Sequence, residues 1–190
     1  MNTYDFDQTI FNPDSSYAFI MFCLRRRTGA VLRALPGAAL AGLLHLGGWV
    51  DTKTLKEKLF SFLRYLEDVD GTVAEFWAES WGGIEEWYLR QKREDDVIIS
   101  ASPEFLLRPA AEKLGVRLIA TPMDKNSGRI IGANCHDEEK VRRFYGEYPD
   151  AHTENFYSDS LSDSPMAMIA DSAFLVKKGS LSPWPGKQYK

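Results

Sequence analysis

The sequence predicts an α/β protein built on a parallel, doubly wound sheet, with an all-helical insert placed after the first strand. Three observations predict it. Residues 95–176 alternate short apolar runs with helical stretches, the pattern of successive βαβ units. Residues 13–94 instead repeat apolar side chains at helical spacing through about four segments. Finally, Asp5 and Asp7 close a β-prone opening run, and residues i and i+2 of a strand point to the same side. In an open α/β sheet, that C-terminal strand edge is where ligands bind. The chain therefore divides into a core, residues 1–12 and 95–190, and an insert, residues 13–94.

Size and composition agree with this plan. At 190 residues the chain can bury a core of useful size. Its 44% hydrophobic and 26% charged residues describe a folded protein rather than a disordered one. A formal net charge of −4 argues against a nucleic-acid partner. Cys23 and Cys135 are too few for a disulfide framework and read as reduced thiols of a cytoplasmic protein. The acidic opening strand does not resemble a secretory signal. The sequence leaves the oligomeric state open.

Taken in order, the opening strand leads to Pro13, and Asp14 or Ser15 can cap the next helix. Residues 17–28 are expected to be helical, with Arg25, Arg26 and Arg27 in the last turn, where cations suit the helix dipole. Residues 30–50 are the most apolar stretch, uninterrupted from Ala34 to Leu44. A membrane span needs about 20 consecutive apolar residues. The run is shorter and seeded with Pro36, Gly37 and Gly42, so it reads first as a buried helix of the insert. The alternative is an interfacial helix in peripheral contact with a membrane, whose anionic headgroups would meet the preceding arginines.

Asp51 and Thr52 cap the next segment, 53–68, where Leu55, Leu59, Phe62, Leu63 and Leu66 share one face. After a turn at Asp70-Gly71-Thr72, residues 73–92 carry an aromatic stripe that reads as core packing, with Gly82-Gly83 placed to bend or divide the helix. The pattern then turns to strands: Val97 to Ser100, Val116 to Ala120, Glu154 to Ser158 and Ala173 to Val176. Helices are expected over 103–114, over 137–145 and from Asp163 to Ala170. Residues 128–134 read as extended, half of a small hairpin. The tail with Pro183-Trp184-Pro185 reads only as punctuation.

Four chemistry-bearing elements then stand in order. They are Asp5 and Asp7 after the first strand, Ser100 after the second, Lys140 on a helix, and Asp159 and Asp163 after the fourth strand. Each alone has a plainer explanation: a charged strand end at solvent, or a solvated lysine beside Glu138 and Glu139, with Lys113 or Lys125 able to replace it. Cys135-His136 lacks partners for a zinc site.

The four in order closely resemble the haloacid dehalogenase superfamily. The matching stretches are Asp5-Phe6-Asp7-Gln8-Thr9, Ile98-Ile99-Ser100, Lys140, and Tyr157-Ser158-Asp159-Ser160-Leu161-Ser162-Asp163. The resemblance implies a Mg²⁺-dependent phosphatase, acting on a phosphomonoester through an aspartyl-phosphate. Asp5 would be its nucleophile and Asp7 its general acid and base. Asp5, Asp159 and the backbone carbonyl of Asp7 would hold the metal, with Asp163 supporting it or Lys140. Lys140 and Ser100 would offset charge on the phosphoryl oxygens.

The insert resembles the type 1 helical cap of the phosphoserine phosphatase group in subfamily IB, and Thr9, Asp14, Ala101 and Ser102 fall where the substrate would lie. Asp14 stands where that group usually carries a glutamate. Ala101-Ser102-Pro103 replaces its Gly-Gly, a departure that weighs against serine phosphate while leaving it among the small soluble candidates. The apolar, arginine-flanked insert is also similar to phosphatidylglycerophosphatase C-type enzymes, which makes a lipid phosphate one candidate and a small soluble phosphate another. A phosphotransferase or mutase using the same intermediate, or a phospho-ligand or membrane-surface binding module, remains the alternative.

Overall fold

The computed structural model describes residues 1–187. Its centre is a six-stranded sheet in the order β3-β2-β1-β4-β5-β6. The strands are β1 (Thr3–Tyr4), β2 (Val97–Pro103), β3 (Arg117–Thr121), β4 (Asn155–Ser158), β5 (Ser172–Lys177) and β6 (Ser180–Pro183). The first five are parallel, and β6 runs antiparallel to β5.

Burial follows the pleat. Val97 and Ile99 of β2 face one cluster with Phe144, Phe156 and Met166, while Ile98 between them faces another with Tyr4, Leu106 and Leu107. Both faces are therefore covered, as an unbroken apolar run in a parallel strand requires. Helices α7 (Glu138–Glu147) and α8 (Ser164–Ile169) supply the first cover, and α6 (Glu104–Leu114) contributes to the second.

Between β1 and β2 the chain is helical, as its spacing predicts. It forms α1 (Ser15–Arg26), α2 (Thr28–Leu46), α3 (Thr52–Leu59), α4 (Val69–Ser80) and α5 (Glu86–Gln91). Aspartates open three of these. The carboxylates of Asp14, Asp51 and Asp68 accept from the N–H groups of Tyr17, Thr54 and Gly71 at 2.7, 2.7 and 2.8 Å. Each satisfies a donor that a helix start leaves unpaired. Asp14 moves the start of α1 two residues ahead of the expected 17. The helical segment expected at 53–68 tightens into a 3₁₀ helix from Phe60 to Tyr65, so Phe62 and Leu63 are buried while Leu59 is exposed. Trp81–Gly83 forms a 3₁₀ turn that divides the next expected helix into α4 and α5.

The insert does not keep its apolar residues to itself. Phe19, Phe62, Phe76 and Trp77 join Phe6, Leu106 and Ala110 in one hydrophobic cluster. Phe19 packs edge-on to Phe76 at 5.5 Å and to Phe105 at 6.4 Å. The aromatic stripe is core packing.

Two expectations need correction. The run at 30–50 is not a buried helix: α2 buries only Ala30, Val31, Ala34 and Ala41, and all six of its leucines are exposed. Composition shows how apolar a helix is but not whether a partner covers each side, and α2 is covered on one side only. Residues 128–134 are not extended throughout: after the turn at 125–127 the expected hairpin pairing is reduced to a single antiparallel bridge, Met123 to Ile130, and the chain bends at 131–133. Gly128 there has φ +76°, and a Cβ on it would lie 2.4 Å from the Phe60 carbonyl oxygen, so this turn seats directly against the insert.

The tail also acquires a structure. After a turn at Gly179 it returns as β6, and Trp184 is buried against Phe156 at 5.9 Å.

Candidate active site

Parallel register puts the acids at one edge. Tyr4 of β1 pairs with Ile98 on one side and Tyr157 on the other, and the Asp5 N–H donates to the Tyr157 carbonyl at 2.8 Å. Asp5 therefore stands one residue past β1, and Asp159 follows directly after β4, both at the C-terminal edge of the sheet. After Asp7, Gln8 takes φ +55°, and the N–H groups of Thr9, Ile10 and Phe11 fold back onto the Phe6 carbonyl. This tight turn leaves Asp7 facing a cavity of about 300 Å³, bordered also by Asp5, Asp14, Lys56, Asp159 and Asp163.

Lys140 lies at the bottom. It is 1% exposed, and its Nζ donates to Asp5 Oδ1 at 2.6 Å and to Asp163 Oδ2 at 2.8 Å. Ser158 donates to the same Asp163 oxygen at 2.7 Å. Burial alone would strip the lysine of its proton, but the two carboxylates outweigh it and hold Lys140 charged, well above its ordinary pKa. Asp5 is pushed up to about 8, chiefly by burial and against the pull of Lys140. The picture is one cation fixed between two acids, one of which is costly to keep ionised.

Asp7 is held differently. Its Oδ1 accepts from the Ser15 N–H at 2.6 Å and its Oδ2 from the Ser102 hydroxyl at 2.5 Å. Burial, then the nearby Asp14, raise its pKa against those bonds. An acid held in this way, with burial favouring its neutral form and two donors fixing its direction, has the placement that proton transfer needs. Asp159 is also raised by burial, and its backbone carbonyl accepts from Lys177 at 2.5 Å.

Some expected residues sit beside the cavity rather than in it. β2 continues to Pro103 with its register broken after Ile99, so Ala101 and Ser102 reach the rim while Ser100 is buried behind them. The Ser100 Oγ accepts from the Ser102 N–H at 3.0 Å. Thr9 is likewise buried, and its hydroxyl accepts from the Asp159 N–H at 2.9 Å, which ties the first acid loop to the last. Asp14 borders the cavity while capping α1.

Sequence reasoning missed Lys56. It projects from α3 of the insert, and its Nζ donates to the Ala101 carbonyl at 2.9 Å and to Asn134 Oδ1 at 3.1 Å. Burial lowers its pKa. Nothing marked it among the lysines of a polar helix. Thr121 was also missed; its hydroxyl donates to the Ala101 carbonyl at 2.7 Å, steadying the rim.

His136 also borders the cavity, but the acids around it, Asp5, Asp7, Asp159 and Asp163, offer the oxygens that a hard divalent cation prefers. Asp163 Oδ1 is buried without a hydrogen-bond partner among the described residues. No three His, Cys, Asp or Glu side chains among those residues form a ready-made cluster. The expected set needs only two carboxylates and a backbone carbonyl, completed by water, so the residues present fit the ion.

The model of the haloacid dehalogenase-like hydrolases matches residues 3–168, spanning every element described above except β5 and β6. The chain belongs to that family. This hydrolase is 30% identical over 186 residues to the protein CicA of Caulobacter vibrioides, covering 88% of its own chain and 82% of CicA. Among solved structures it is similar to a protein of unknown function from Bordetella pertussis, with a TM-score of 0.73 and 23% identity, covering 87% and 84% of the two chains. A phosphoserine phosphohydrolase-like protein from Francisella tularensis gives a TM-score of 0.54 and 14% identity, covering 94% and 88%. At these identities the structural likenesses bear on the fold of the hydrolase.

Proposed function

We propose that this hydrolase is a Mg²⁺-dependent phosphomonoesterase working through an aspartyl-phosphate on Asp5. The observation that carries the reading is the placement of two differently held acids on one cavity: Asp5 bound to the buried ammonium of Lys140, and Asp7 fixed by Ser15 and Ser102 with no cation bonded to it among the described residues. An Asp5 oxygen attacks phosphorus as the bond to the ester oxygen breaks, and Asp7 gives its proton to the departing alkoxide. Asp7, now a carboxylate, then takes a proton from the water that attacks the phosphorus of the aspartyl-phosphate. Inorganic phosphate leaves, and Asp5 returns as a carboxylate.

Lys140 holds Asp5 in place and offsets negative charge beneath the reacting group. Ser102 and Ser15 fix the direction of Asp7. Lys56 brings a second positive charge to the rim from the insert, which then acts as a cap over the core. A Mg²⁺ held by the carboxylates of Asp5 and Asp159 and the carbonyl of Asp7, with Asp163 behind, would supply the charge that lets a carboxylate approach a phosphate dianion.

The test is phosphate release from an aryl phosphate with and without Mg²⁺, then across phospholipid, sugar and amino-acid phosphates. Turnover that vanishes with a chelator and in Asp5→Asn supports the proposal. Full activity in Asp5→Asn overturns it. Asp7→Asn should slow the reaction and accumulate phosphoenzyme. Added alcohols that trap the phosphoryl group in place of water would reassign the chain as a phosphotransferase.

A further inference from the structure

Among the described residues, exposed large apolar side chains concentrate on α2. Leu32, Leu35, Leu40, Leu43 and Leu46 lie on it, followed by Trp49 just beyond the helix, and all six are exposed. The last three of these, Leu43, Leu46 and Trp49, are 68, 85 and 81% exposed. The leucines recur at helical spacing on the side opposite Ala30, Ala34 and Ala41, which pack inward. A row of this kind, longer than a scatter of single apolar residues, marks a surface that meets something.

Charge points to what it meets. Residues 15–50 contain Arg25, Arg26, Arg27 and Arg33 and no aspartate or glutamate, in a protein whose net charge is −4. Arg26 and Arg27 pair with Glu79 and Glu75, which leaves Arg25 and Arg33 without an acidic partner among the described residues, on the same stretch as the exposed leucines. A protein partner would supply a shaped surface for them, but α2 offers a convex aliphatic stripe with a tryptophan at its end, the form that suits an acyl–headgroup boundary.

By length and composition α2 is the one helix among the described residues able to cross a membrane. Its neighbours forbid that. The chain turns at Gly47 and Gly48 into α3, whose lysines reach the core at Ala101 and Gly132, and Arg27 at its start pairs with Glu75 at 2.9 Å. Both ends of α2 are therefore tied to the folded body, and the helix can lie on a bilayer but not thread it.

We propose that α2 and Trp49 form a peripheral docking surface for membranes with anionic lipid. The inference does not depend on the catalytic reading. α3 lies between α2 and the cavity, so docking would bear on the element that carries Lys56.

The full chain is tested by flotation with vesicles of phosphatidylcholine alone and of phosphatidylcholine with phosphatidylglycerol in about a three-to-one ratio. It should float with the anionic vesicles and be released by high salt. Leu43→Asp combined with Leu46→Asp should weaken that binding by roughly a hundredfold, with unchanged circular dichroism and elution volume. Should that variant misfold, Leu43→Ser with Leu46→Ser gives the same reading at smaller amplitude. Brominated lipid should quench wild-type fluorescence and spare Trp49→Phe. Absence of flotation with anionic vesicles overturns the proposal, as does binding that survives both double variants. A dimer that the substitutions convert to monomer, without vesicle binding, also overturns it and assigns the face to a second copy.

Discussion

Lys140 and Leu46 are each on the wrong side of the molecule. The first is a lysine with 1% exposure at the bottom of a cavity, the second a leucine with 85% exposure on a helix. Ordinary folding energetics would place them the other way round. The two regions differ in how the anomaly is held. Around Lys140 every contact is specific, with two carboxylates within 2.8 Å and Ser158 bracing one of them. On α2 the leucines of the outer face lie half or more in solvent, and the residues that bury fully, Ala30, Val31, Ala34 and Ala41, fix the helix from its other side. A buried charge thus requires a constellation, whereas an exposed apolar row requires only that the rest of the helix be anchored.

That contrast can be broken experimentally, beginning where it is strongest. Asp5→Asn should lower turnover of an aryl phosphate by at least about a thousandfold, roughly 4 kcal/mol in the barrier, while the fold persists by circular dichroism. Lys140→Met should act on stability as well as rate. It leaves Asp5 and Asp163 facing each other without their shared cation, and urea denaturation should show a loss of about 3–5 kcal/mol.

A third effect is smaller and concerns pH. An unperturbed aspartate titrates near 3.9, at about the value expected in the unfolded chain. With Asp5 pushed up to about 8 by burial, the native state binds more protons than the unfolded state between these values. Metal-free protein should therefore lose stability as pH rises from about 4 to 8, read as a falling melting temperature, and Asp5→Asn should flatten the slope. Lys140 does not reverse it, because its raised pKa keeps it charged throughout that window. On the other side of the comparison, Leu43→Asp should change the unfolding free energy by no more than about 0.5 kcal/mol. A large loss there would mean that α2 is held by its leucines after all.

The same contrast explains what the sequence made legible. The core strands were readable because Val97, Ile98 and Ile99 are buried whichever way they point, and the convergence of Asp5, Lys140 and Asp163 was expected from the resemblance of their order to the haloacid dehalogenase pattern. That Ser100 and Thr9 are buried beside the cavity, accepting from the Ser102 and Asp159 N–H groups, was not legible, because those bonds depend on how the loops after β2 and β4 turn. Lys56 was invisible because its value lies in a contact with Asn134, 78 residues away. The exposure of α2 was misjudged for a related reason: hydropathy is a property of the residue, whereas burial belongs to a pair of surfaces. β6 escaped notice because four residues with two serines and a proline carry no strand signature.

That unremarked strand has a consequence of its own. An open sheet margin is a template on which a second polypeptide can add, the first step toward fibrillar or amorphous deposits. β5 would present such a margin, but β6 occupies it with a short, solvent-facing, serine-rich segment ended by Pro183, which offers little for further growth. β6 is thus a selvedge, a short finished border on the β5 side of the sheet.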